Sequence, residues 1–228
     1  MQFTKEWFLN LEQQLRDAGL DSDSKSFDEI RHNLQYPKKL SSDEFAIAAA
    51  YVILASGFSQ KTAKAKHAEI IKYIEKAGKN ANQSDLLAIF GNKNKISAIL
   101  KIWKNRDAYR DEYYLLNDLD SKLLYLSKLP HIGKITANHF ARNLGENVVK
   151  YDIWIQRLGV CFAQQGAVCR VQSSNLESKI NNGNLDIDVR VACDDMFMHL
   201  ENVTGLPRGY IDVVLWSGAQ NHMIKGLI

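Results

Sequence analysis

One segment of the chain contains residues whose types and spacing could do chemistry: LPHIGKITANHFARNLGENVVKYDIWIQR, from Leu129 to Arg157. It begins with a short turn that holds a proline and a glycine. A lysine follows at the start of the next helix, and an isolated carboxylate, Asp152, comes later. The first N–H groups of a helix have no partner within the helix and attract anions. The segment therefore predicts an anion-binding turn followed by an acidic group.

The turn lies between two predicted helices, Ser121–Leu129 and Lys134–Leu144. Pro130 is expected to end the first helix, and Gly133 to allow a backbone turn that a side chain would block. The N–H groups of the second helix, together with Lys134, would then attract a phosphate. Short apolar hairpins also join helices that bind nothing, so this turn alone is weak support for a phosphate site.

The elements that must position this segment are helices. Apolar residues recur at intervals of three and four, and only 3 prolines occur in 228 residues, so we predict an all-α protein with about ten helices. Ser41 and Glu44 form a capping-box pattern before an apolar helix that is the predicted central core helix. A polar loop or weak helix is predicted at 167–185. The remaining predicted helices cover residues 4–18, 27–34, 43–55, 61–77, 84–90, 94–103 with an extension towards 114, 152–163, 188–202 and 208–220.

Composition favours a globular protein. Hydrophobic residues make up 46% of the chain and charged residues 24%, and no run of 18 apolar residues occurs, so we expect a cytoplasmic protein with no membrane partner. The three cysteines, Cys161, Cys169 and Cys193, form no CxxC pair, and the histidines have no HxxxH or HExxH spacing. We therefore expect neither a disulfide framework nor a metal site built from side chains. Each cysteine is interpreted as a buried apolar residue.

Charge is unevenly distributed along the chain. Residues 46–160 carry 18 lysines and arginines against 10 acidic residues, a balance of +8, whereas the two flanks carry 11 against 16, a balance of −5. A basic centre suits a phosphate-rich partner. Solvated faces of ordinary helices would give the same balance, and charge alone leaves both explanations open.

Three motifs together resemble a known superfamily. The run LPHIG-KITA, followed by Asp152 in YDIWIQRLG, resembles the helix-hairpin-helix / Gly-Pro-Asp superfamily of DNA glycosylases, which includes endonuclease III and the 8-oxoguanine glycosylases. GKITANHFARNLGENVVKYD is most similar to the short bacterial and archaeal 8-oxoguanine glycosylase branch. LASGFSQKTA, at 54–63, is similar to the strand-invading turn of that branch, and GYIDVVLWSG, at 209–218, resembles its C-terminal Asp-Leu-Trp helix.

The resemblance spans most of residues 45–218 and implies an all-α, two-lobed fold with a DNA- and base-binding cleft between the lobes. On this basis the chain is one glycosylase-like unit. Lobe A covers about 35–115, and lobe B, with the hairpin and Asp152, about 116–165. Helices in 1–34 and 166–228 complete the lobes.

Two departures from the family pattern concern the lyase reaction. Bifunctional members carry a catalytic lysine two residues after the hairpin glycine, where this chain has Ile135, and the segment before Asp152 lacks the family's proline. Lys134 is one position earlier, about 100° around the helix, and would face phosphate more naturally than a base pocket. Lys150 is a second candidate amine for a Schiff base, or else a solvated loop lysine.

The resemblance implies that Asp152 is the catalytic group. Breaking the bond between a base and deoxyribose develops positive charge on the sugar, which a carboxylate in a dry pocket stabilises; it can also orient or deprotonate a water. Asp is equally a favoured N-cap for the helix that follows. Spacing alone does not separate the two roles.

Base flipping requires residues that fill the gap and stack on the base. Gly57, Phe58 and Gln60 match the strand-invading turn, although Phe58 could instead cover the core. Candidates for the base pocket are aromatic residues that could equally belong to the core, and one acid that could equally form an ion pair: Phe140, Tyr151, Trp154, Trp216 and Asp212.

The hairpin that would grip the DNA backbone consists of Leu129, Pro130, His131, Ile132, Gly133 and Lys134. His131 stands where the family usually has glycine, and either contacts phosphate or is merely exposed. Relatives hold a monovalent cation in this hairpin, which implies a site formed here by the main-chain carbonyls of Ser127, Leu129 and Ile132. Further phosphate contacts could come from Lys61, Lys64, Lys93 and Lys95. No iron–sulfur cluster is expected, since the thiolates it needs are missing near the C-terminus.

We therefore expect a monomeric, monofunctional DNA glycosylase that acts on double-stranded DNA containing a damaged or modified base, with Asp152 and water. Three alternatives remain: a bifunctional glycosylase/lyase with a displaced lysine, a phage-type enzyme that processes a modified thymine, and a helix-hairpin-helix protein that binds DNA without catalysis.

Overall fold

Helices account for all of the regular structure in the part of the chain that the computed structural model describes, residues 2–22, 25–165, 169–171, 175–181 and 185–227. These residues form twelve α-helices and no β-strand, which confirms the all-α prediction. None of the described helices is long and apolar enough to cross a bilayer. Within the loop or weak helix predicted at 167–185, residues 167–168, 172–174 and 182–184 lie outside the described residues, and the described part contains one short 3-10 helix, Glu177–Lys179. The helices are α1 (Lys5–Asp17), α2 (Phe27–Gln35), α3 (Ser42–Ala55), α4 (Gln60–Ala77), α5 (Gln83–Ile89), α6 (Lys93–Lys104), α7 (Arg106–Leu115), α8 (Leu119–Leu126), α9 (Lys134–Asn143), α10 (Ile153–Gln164), α11 (Ile187–Thr204) and α12 (Arg208–Gln220).

Local signals explain where most helices begin. Ser41 and Glu44 form the predicted capping box at the start of α3. The extension predicted for the 94–103 helix is wrong as a single helix, because the chain breaks at Asn105 into α6 and α7. Asn105 has φ −112° and ψ 18°, and its side-chain amide donates to the carbonyl of Lys101 at 2.8 Å. Asparagine commonly competes with helix hydrogen bonds in this way.

The chain divides into two compact units: Met1–Gln35 with Asn147–Ile228, and Tyr36–Glu146. These boundaries differ from the lobes expected from the sequence. The helix-hairpin-helix, α8 and α9, belongs to the unit that also contains α3 to α7, whereas Asp152 belongs to the unit formed by the N- and C-terminal segments. Each unit is stabilised by its own internal packing, so sequence neighbours on either side of residue 146 pack in different units.

The unit that contains Asp152 packs around α12, which is buried from Gly209 to Ala219. Helices α10 and α11 approach closely where Gly159 faces Cys193: a Cβ at Gly159 would lie 2.5 Å from the Cys193 sulfur and 2.8 Å from its backbone nitrogen. The fully buried Cys193 is thus a core residue, as expected. The same expectation is wrong for Cys161 and Cys169, which are only half-buried. This contact fixes α10, and Asp152 immediately precedes that helix.

The unit from Tyr36 to Glu146 packs around α3, which contacts α4, α6, α7 and α9. This confirms α3 as the central core helix of its unit. The rings of Phe45 and Phe140 lie 5.0 Å apart, and those of Phe45 and Tyr113 5.9 Å apart. Phe140 is fully buried within this core. The alternative that assigned it to a base pocket is therefore wrong, because the ring faces α3.

Candidate active site and DNA-binding turns

Asp152 is the N-cap residue of α10. Its Oδ1 atom accepts hydrogen bonds from the backbone N–H groups of Trp154 at 3.0 Å and Ile155 at 3.3 Å. The side chain is 15% exposed, so the carboxylate is largely enclosed but reachable. The structural role considered from the sequence is therefore fulfilled, and it uses only one of the two carboxylate oxygens.

The second oxygen of Asp152 faces Lys150. Nζ of Lys150 lies 3.2 Å from Oδ2 of Asp152 and 5.2 Å from the centroid of the Trp216 ring. The backbone N–H of Lys150 donates to Oδ2 of the buried Asp212 at 3.2 Å. With a side chain only 18% exposed, Lys150 is not a solvated loop lysine. The two acids and Trp216 hold it in place.

Tyr151, the residue before Asp152, is held by two side chains of α11. Its hydroxyl donates to Asp194 on α11, and the guanidinium of Arg190 lies 5.6 Å from its ring centroid. Burial, and then the hydrogen bond to Asp194, raise the pKa of Tyr151 above its ordinary value. Tyr151 therefore stays neutral and acts as a hydrogen-bond donor that anchors the residue before Asp152.

The two tryptophans predicted for the base pocket have different surroundings. Trp216 is 9% exposed and lies under Lys150. Trp154 is half-buried, with the guanidinium of Arg157 5.1 Å from its ring centroid and His222 at its edge. Trp216, Lys150 and Asp212 are thus gathered around Asp152, whereas Trp154 stacks with residues of its own helix and the C-terminal segment.

Gln156 is a positioning residue that the sequence reasoning missed. It is fully buried on α10, and its side-chain amide donates to the carbonyls of Tyr151 at 3.0 Å and Asn181 at 2.8 Å, while its oxygen accepts the Asn181 N–H at 2.9 Å. The available signal was an amide on the apolar face of a helix, one turn after Asp152. A buried amide at such a position needs partners, and here one partner is the backbone beside the carboxylate.

A cavity of about 310 Å³ lies along α10 in the same unit. Its described lining includes Ile153, Arg157, Cys161 and Glu177. Neither Asp152 nor any residue predicted for the base pocket belongs to that described lining, so the cavity does not identify a base pocket.

The hairpin between α8 and α9 begins earlier in the chain than the sequence predicted. Helix α8 ends at Leu126 rather than Leu129, because the N–H groups of Lys128 and Leu129 donate to the carbonyls three residues before them, at 3.0 Å and 3.1 Å. The N–H of Ile132 donates to the carbonyl of Leu129 at 3.1 Å and closes the turn. Leu129 and Ile132 are buried, which anchors the hairpin to its unit.

The residue that needs a left-handed backbone in this hairpin is His131, not Gly133. His131 has φ 61°, whereas Gly133 has φ −89° and ψ 178°, which any residue can adopt. The prediction that a side chain at Gly133 would block the turn is therefore wrong: a Cβ there would meet no atom within 4 Å. What Gly133 does provide is open space in front of α9.

The start of α9 carries no side-chain cap. Gly133 is its N-cap, and Lys134, the first residue of the helix, is exposed. Ile135 is the half-buried second residue of α9. His131 lies beside them and is exposed. The surrounding protein removes part of the hydration of its imidazole, and this desolvation, followed by the nearby positive charge of Lys95, lowers its pKa. The turn thus presents uncapped N–H groups, one cation and a mainly neutral imidazole.

The turn between α3 and α4 has Gly57 at φ 77° with open space around it. Phe58 is 43% exposed, and its ring packs edge-on against Phe90 at 5.3 Å. Ser59 caps α4, and Gln60 is the first residue of that helix. The Phe58 ring is thus supported on one side by Phe90 and is partly exposed to solvent.

The four lysines considered as phosphate contacts do not share one environment. Lys61 and Lys93 are exposed and Lys64 is half-buried. Lys95 is 4% exposed and donates to backbone carbonyls, so its assignment as a phosphate contact is wrong. The error arose because α6 turns this lysine inwards.

Comparison with other proteins yields a likeness of fold. No protein family matches this sequence by its profile, and no curated protein matches it. Among solved structures, the chain is similar to an 8-oxoguanine glycosylase/lyase from Methanocaldococcus jannaschii in complex with a 15mer DNA containing 8-oxoguanine. The TM-score is 0.62 at 16% sequence identity, and the match covers 96% of this chain and 100% of the other. The likeness confirms the predicted all-α, glycosylase-like fold.

Proposed function

We propose that this protein is a DNA glycosylase of base excision repair, which flips a damaged or modified base out of double-stranded DNA and excises it. The observation that carries the proposal is the carboxylate of Asp152, held by two backbone N–H groups and Lys150 on a fold shared with a DNA-bound glycosylase/lyase. A fold alone hosts many functions, so the site has to supply the chemistry.

The chemistry that Asp152 supports is cleavage of the N-glycosidic bond. As that bond breaks, positive charge develops on the deoxyribose, and a carboxylate fixed beforehand stabilises it without having to reorganise. Oδ1 is occupied by the α10 N–H groups, which leaves Oδ2 as the oxygen that can face the sugar or a water. The partner of Oδ2, Lys150, would have to shift or share the site when DNA binds.

We further propose that the reaction is hydrolytic. Water attacks C1′ of the sugar, the base leaves, and Asp152 orients the water or accepts its proton. In its ion pair with Asp152, Lys150 is an ammonium group, which has no lone pair with which to attack the sugar. Ile135, which the sequence resemblance matches to the lysine of bifunctional glycosylases, offers no amine.

The hairpin and the turn at residues 56–59 would supply the grip on DNA. The uncapped N–H groups of α9, the open space at Gly133 and the charge of Lys134 suit a phosphate. Phe58, with Gln60 beside it, would fill the gap left by the flipped base. Tyr151, Trp216 and Asp212 are the proposed surroundings of that base, and the binding is expected to weaken with salt.

A monovalent cation in the hairpin is a further part of the proposal. The Leu129 carbonyl accepts the Ile132 N–H at 3.1 Å, and a carbonyl oxygen has a second lone pair that could serve as a cation ligand. Ser127 and Ile132 would supply the other carbonyls, and the cation would strengthen the grip on phosphate without entering the chemistry.

One observation favours a second candidate, a bifunctional glycosylase/lyase. The amine of Lys150 is already beside Asp152, and after proton transfer it could form a Schiff base with the opened sugar. Borohydride trapping on DNA decides between the two: a covalent complex in the wild type that Lys150→Ala abolishes, and Lys134→Ala does not, would establish the lyase. The reverse pattern would assign the amine to Lys134. If no covalent complex forms with the wild type, the result supports hydrolysis.

The proposed function is tested with a panel of duplexes that each contain one altered base, beginning with 8-oxoguanine. Free base is measured by chromatography, and binding by fluorescence anisotropy. We expect base release by the wild type and a loss of about 100- to 1,000-fold in Asp152→Asn, with DNA binding retained. Equal release by both proteins would refute the role of Asp152. Binding without release of base from any duplex would identify a non-catalytic DNA-binding protein. A modified product that stays on the DNA would identify a base-modifying enzyme.

A further inference from the structure

We infer that Lys95 is a positioning residue for the turn at residues 56–59. It would hold the Phe58 ring in the position from which the ring can enter the gap in the DNA. The inference rests on the proposed function, in which this turn fills the gap left by a flipped base. We call residues 56–59 the Phe58 turn.

The first support is the hydrogen bonding of Lys95. Its Nζ donates to the carbonyl of Leu54 at 3.2 Å and to the carbonyl of Ser56. Helix α3 ends at Ala55, with Ser56 as its C-cap. The last carbonyls of a helix have no partner within the helix and carry partial negative charge. A buried ammonium group therefore satisfies them and interacts favourably with the negative end of the helix dipole. Lys95 thereby fixes the point at which the Phe58 turn leaves α3.

The second support is the contact with Phe58 itself. Nζ of Lys95 lies 4.6 Å from the centroid of the Phe58 ring. Phe90, which follows α5, packs edge-on against the same ring at 5.3 Å. A cation at this distance from an aromatic ring attracts it. Phe58 is therefore held by Lys95 and Phe90 while 43% of its surface stays exposed.

The far end of the turn has its own fixed point. The hydroxyl of Ser59 accepts the N–H of Thr62 at 3.2 Å and caps α4. Between the two anchors lies Gly57, with φ 77° and no neighbouring atom within 4 Å of an added Cβ. Because nothing packs on Gly57, the geometry of the turn depends on its two ends and on the support beneath Phe58.

The cost of burying Lys95 distinguishes positioning from stabilisation. Lys95 is 4% exposed, and burial lowers its pKa to about 8. Burying the ammonium group costs hydration, whereas removing it leaves the carbonyls of Leu54 and Ser56 without this donor. In Lys95→Met the two effects oppose each other, so stability is expected to change little. Methionine at position 95 should thus leave the fold intact while releasing the carbonyls of Leu54 and Ser56.

The test compares Lys95→Met and Lys95→Arg with Lys101→Met, a control at an exposed lysine on the same helix. Amide hydrogen exchange is measured in the free protein at Ser56 and Phe58, whose N–H groups donate to Val52 and Ala55 at 3.2 Å and 3.4 Å. We expect Lys95→Met to accelerate exchange at both amides by about tenfold or more without lowering Tm. Lys95→Arg should recover part of the protection, and Lys101→Met should match the wild type.

The second readout is single-turnover base release together with the fluorescence of 2-aminopurine placed beside the target base. In Lys95→Met both are expected to fall by about tenfold, since a looser turn fills the gap less often. Unchanged exchange at Ser56 and Phe58, or a Tm lowered in step with the activity, would overturn the positioning role. The wild type could release no base while Lys95→Met still accelerates amide exchange at Ser56 and Phe58. That result would refute the proposed function and would leave the anchoring of the turn by Lys95 intact.

Discussion

Nζ of Lys150 lies 3.2 Å from Oδ2 of Asp152, while Oδ1 of the same carboxylate accepts the N–H groups of Trp154 and Ile155. The carboxylate is thus divided between a structural and an electrostatic contact. N-cap and catalytic group were competing interpretations of Asp152 in the sequence. In the structure they are compatible, because the cap uses one oxygen and leaves the other facing a cation.

The two roles of Asp152 are separable by substitution. Asparagine is as good an N-cap as aspartate, whereas alanine removes the cap. We expect Asp152→Ala to lower the free energy of unfolding by about 1 kcal/mol relative to Asp152→Asn, as measured by urea denaturation. Both variants leave Lys150 without its partner, so that effect cancels in the comparison. Both should be equally deficient in base release; an active Asp152→Asn enzyme would show that the negative charge is not needed.

Gln156 is expected to position the segment that carries Asp152. In Gln156→Leu, the carbonyls of Tyr151 and Asn181 lose their side-chain donor. Leaving such groups unsatisfied costs about 1–3 kcal/mol, which thermal or chemical denaturation would detect. Base release should fall as well, since the residue before Asp152 is no longer held. The control is Gln164→Leu, at an exposed position on the same helix, which should alter neither property; equal effects of the two variants would contradict the positioning role.

Gly133 is expected to matter for DNA and little for folding. Its backbone angles suit alanine, and a Cβ would meet no atom within 4 Å. In Gly133→Ala, the smaller entropy of the unfolded chain and the poorer N-cap oppose each other, so unfolding free energy should change by less than about 1 kcal/mol. The added methyl group would lie where phosphate must approach α9.

Affinity for duplex DNA, measured by fluorescence anisotropy at fixed salt, should therefore fall about tenfold in Gly133→Ala, which corresponds to about 1.4 kcal/mol. Gly91→Ala, also in open space and in the same unit, should bind like the wild type. Wild-type affinity in Gly133→Ala would argue against a phosphate at this turn.

Lys95 should give stability a distinct pH dependence. Burial lowers its pKa from 10.5 to about 8 in the folded chain. Between these values the unfolded chain binds a proton that the folded chain does not, so this group makes stability rise with pH across that window. Below about pH 8 both states hold the proton, and the contribution of Lys95 levels off. Tyrosines such as Tyr151, whose pKa is raised by burial, act in the opposite direction above pH 10.

The measurement is therefore the difference in unfolding free energy between the wild type and Lys95→Met. We expect that difference to move in favour of the wild type from pH 7.5 to 9.5, below the tyrosine range. Lys101→Met should show no such trend. A pH-independent difference for Lys95→Met would mean that Lys95 titrates alike in the folded and unfolded chains.

The sequence by itself determined most of the helices and where most of them begin. The capping box of Ser41 and Glu44 and the N-cap Asp152 are formed with backbone groups two or three residues away, and helical periodicity is equally local. Resemblance in three short motifs also indicated the fold that the structural comparison confirms. The break at Asn105 and the early end of α8 were missed, because competing hydrogen bonds a few residues apart decide them.

Tertiary structure decided which side chains face inwards and what they meet. Lys95 looked like a surface cation, yet its amine contacts the carbonyl of Leu54, 41 residues away along the chain. Lys150 and Asp212, separated by 62 residues, meet beside Asp152. Burial changes the charge and hydrogen-bonding needs of a lysine or a glutamine, and burial depends on helices that are remote in sequence. Composition and spacing fix which groups the chain possesses; packing fixes which of them lose water, and so which can act together.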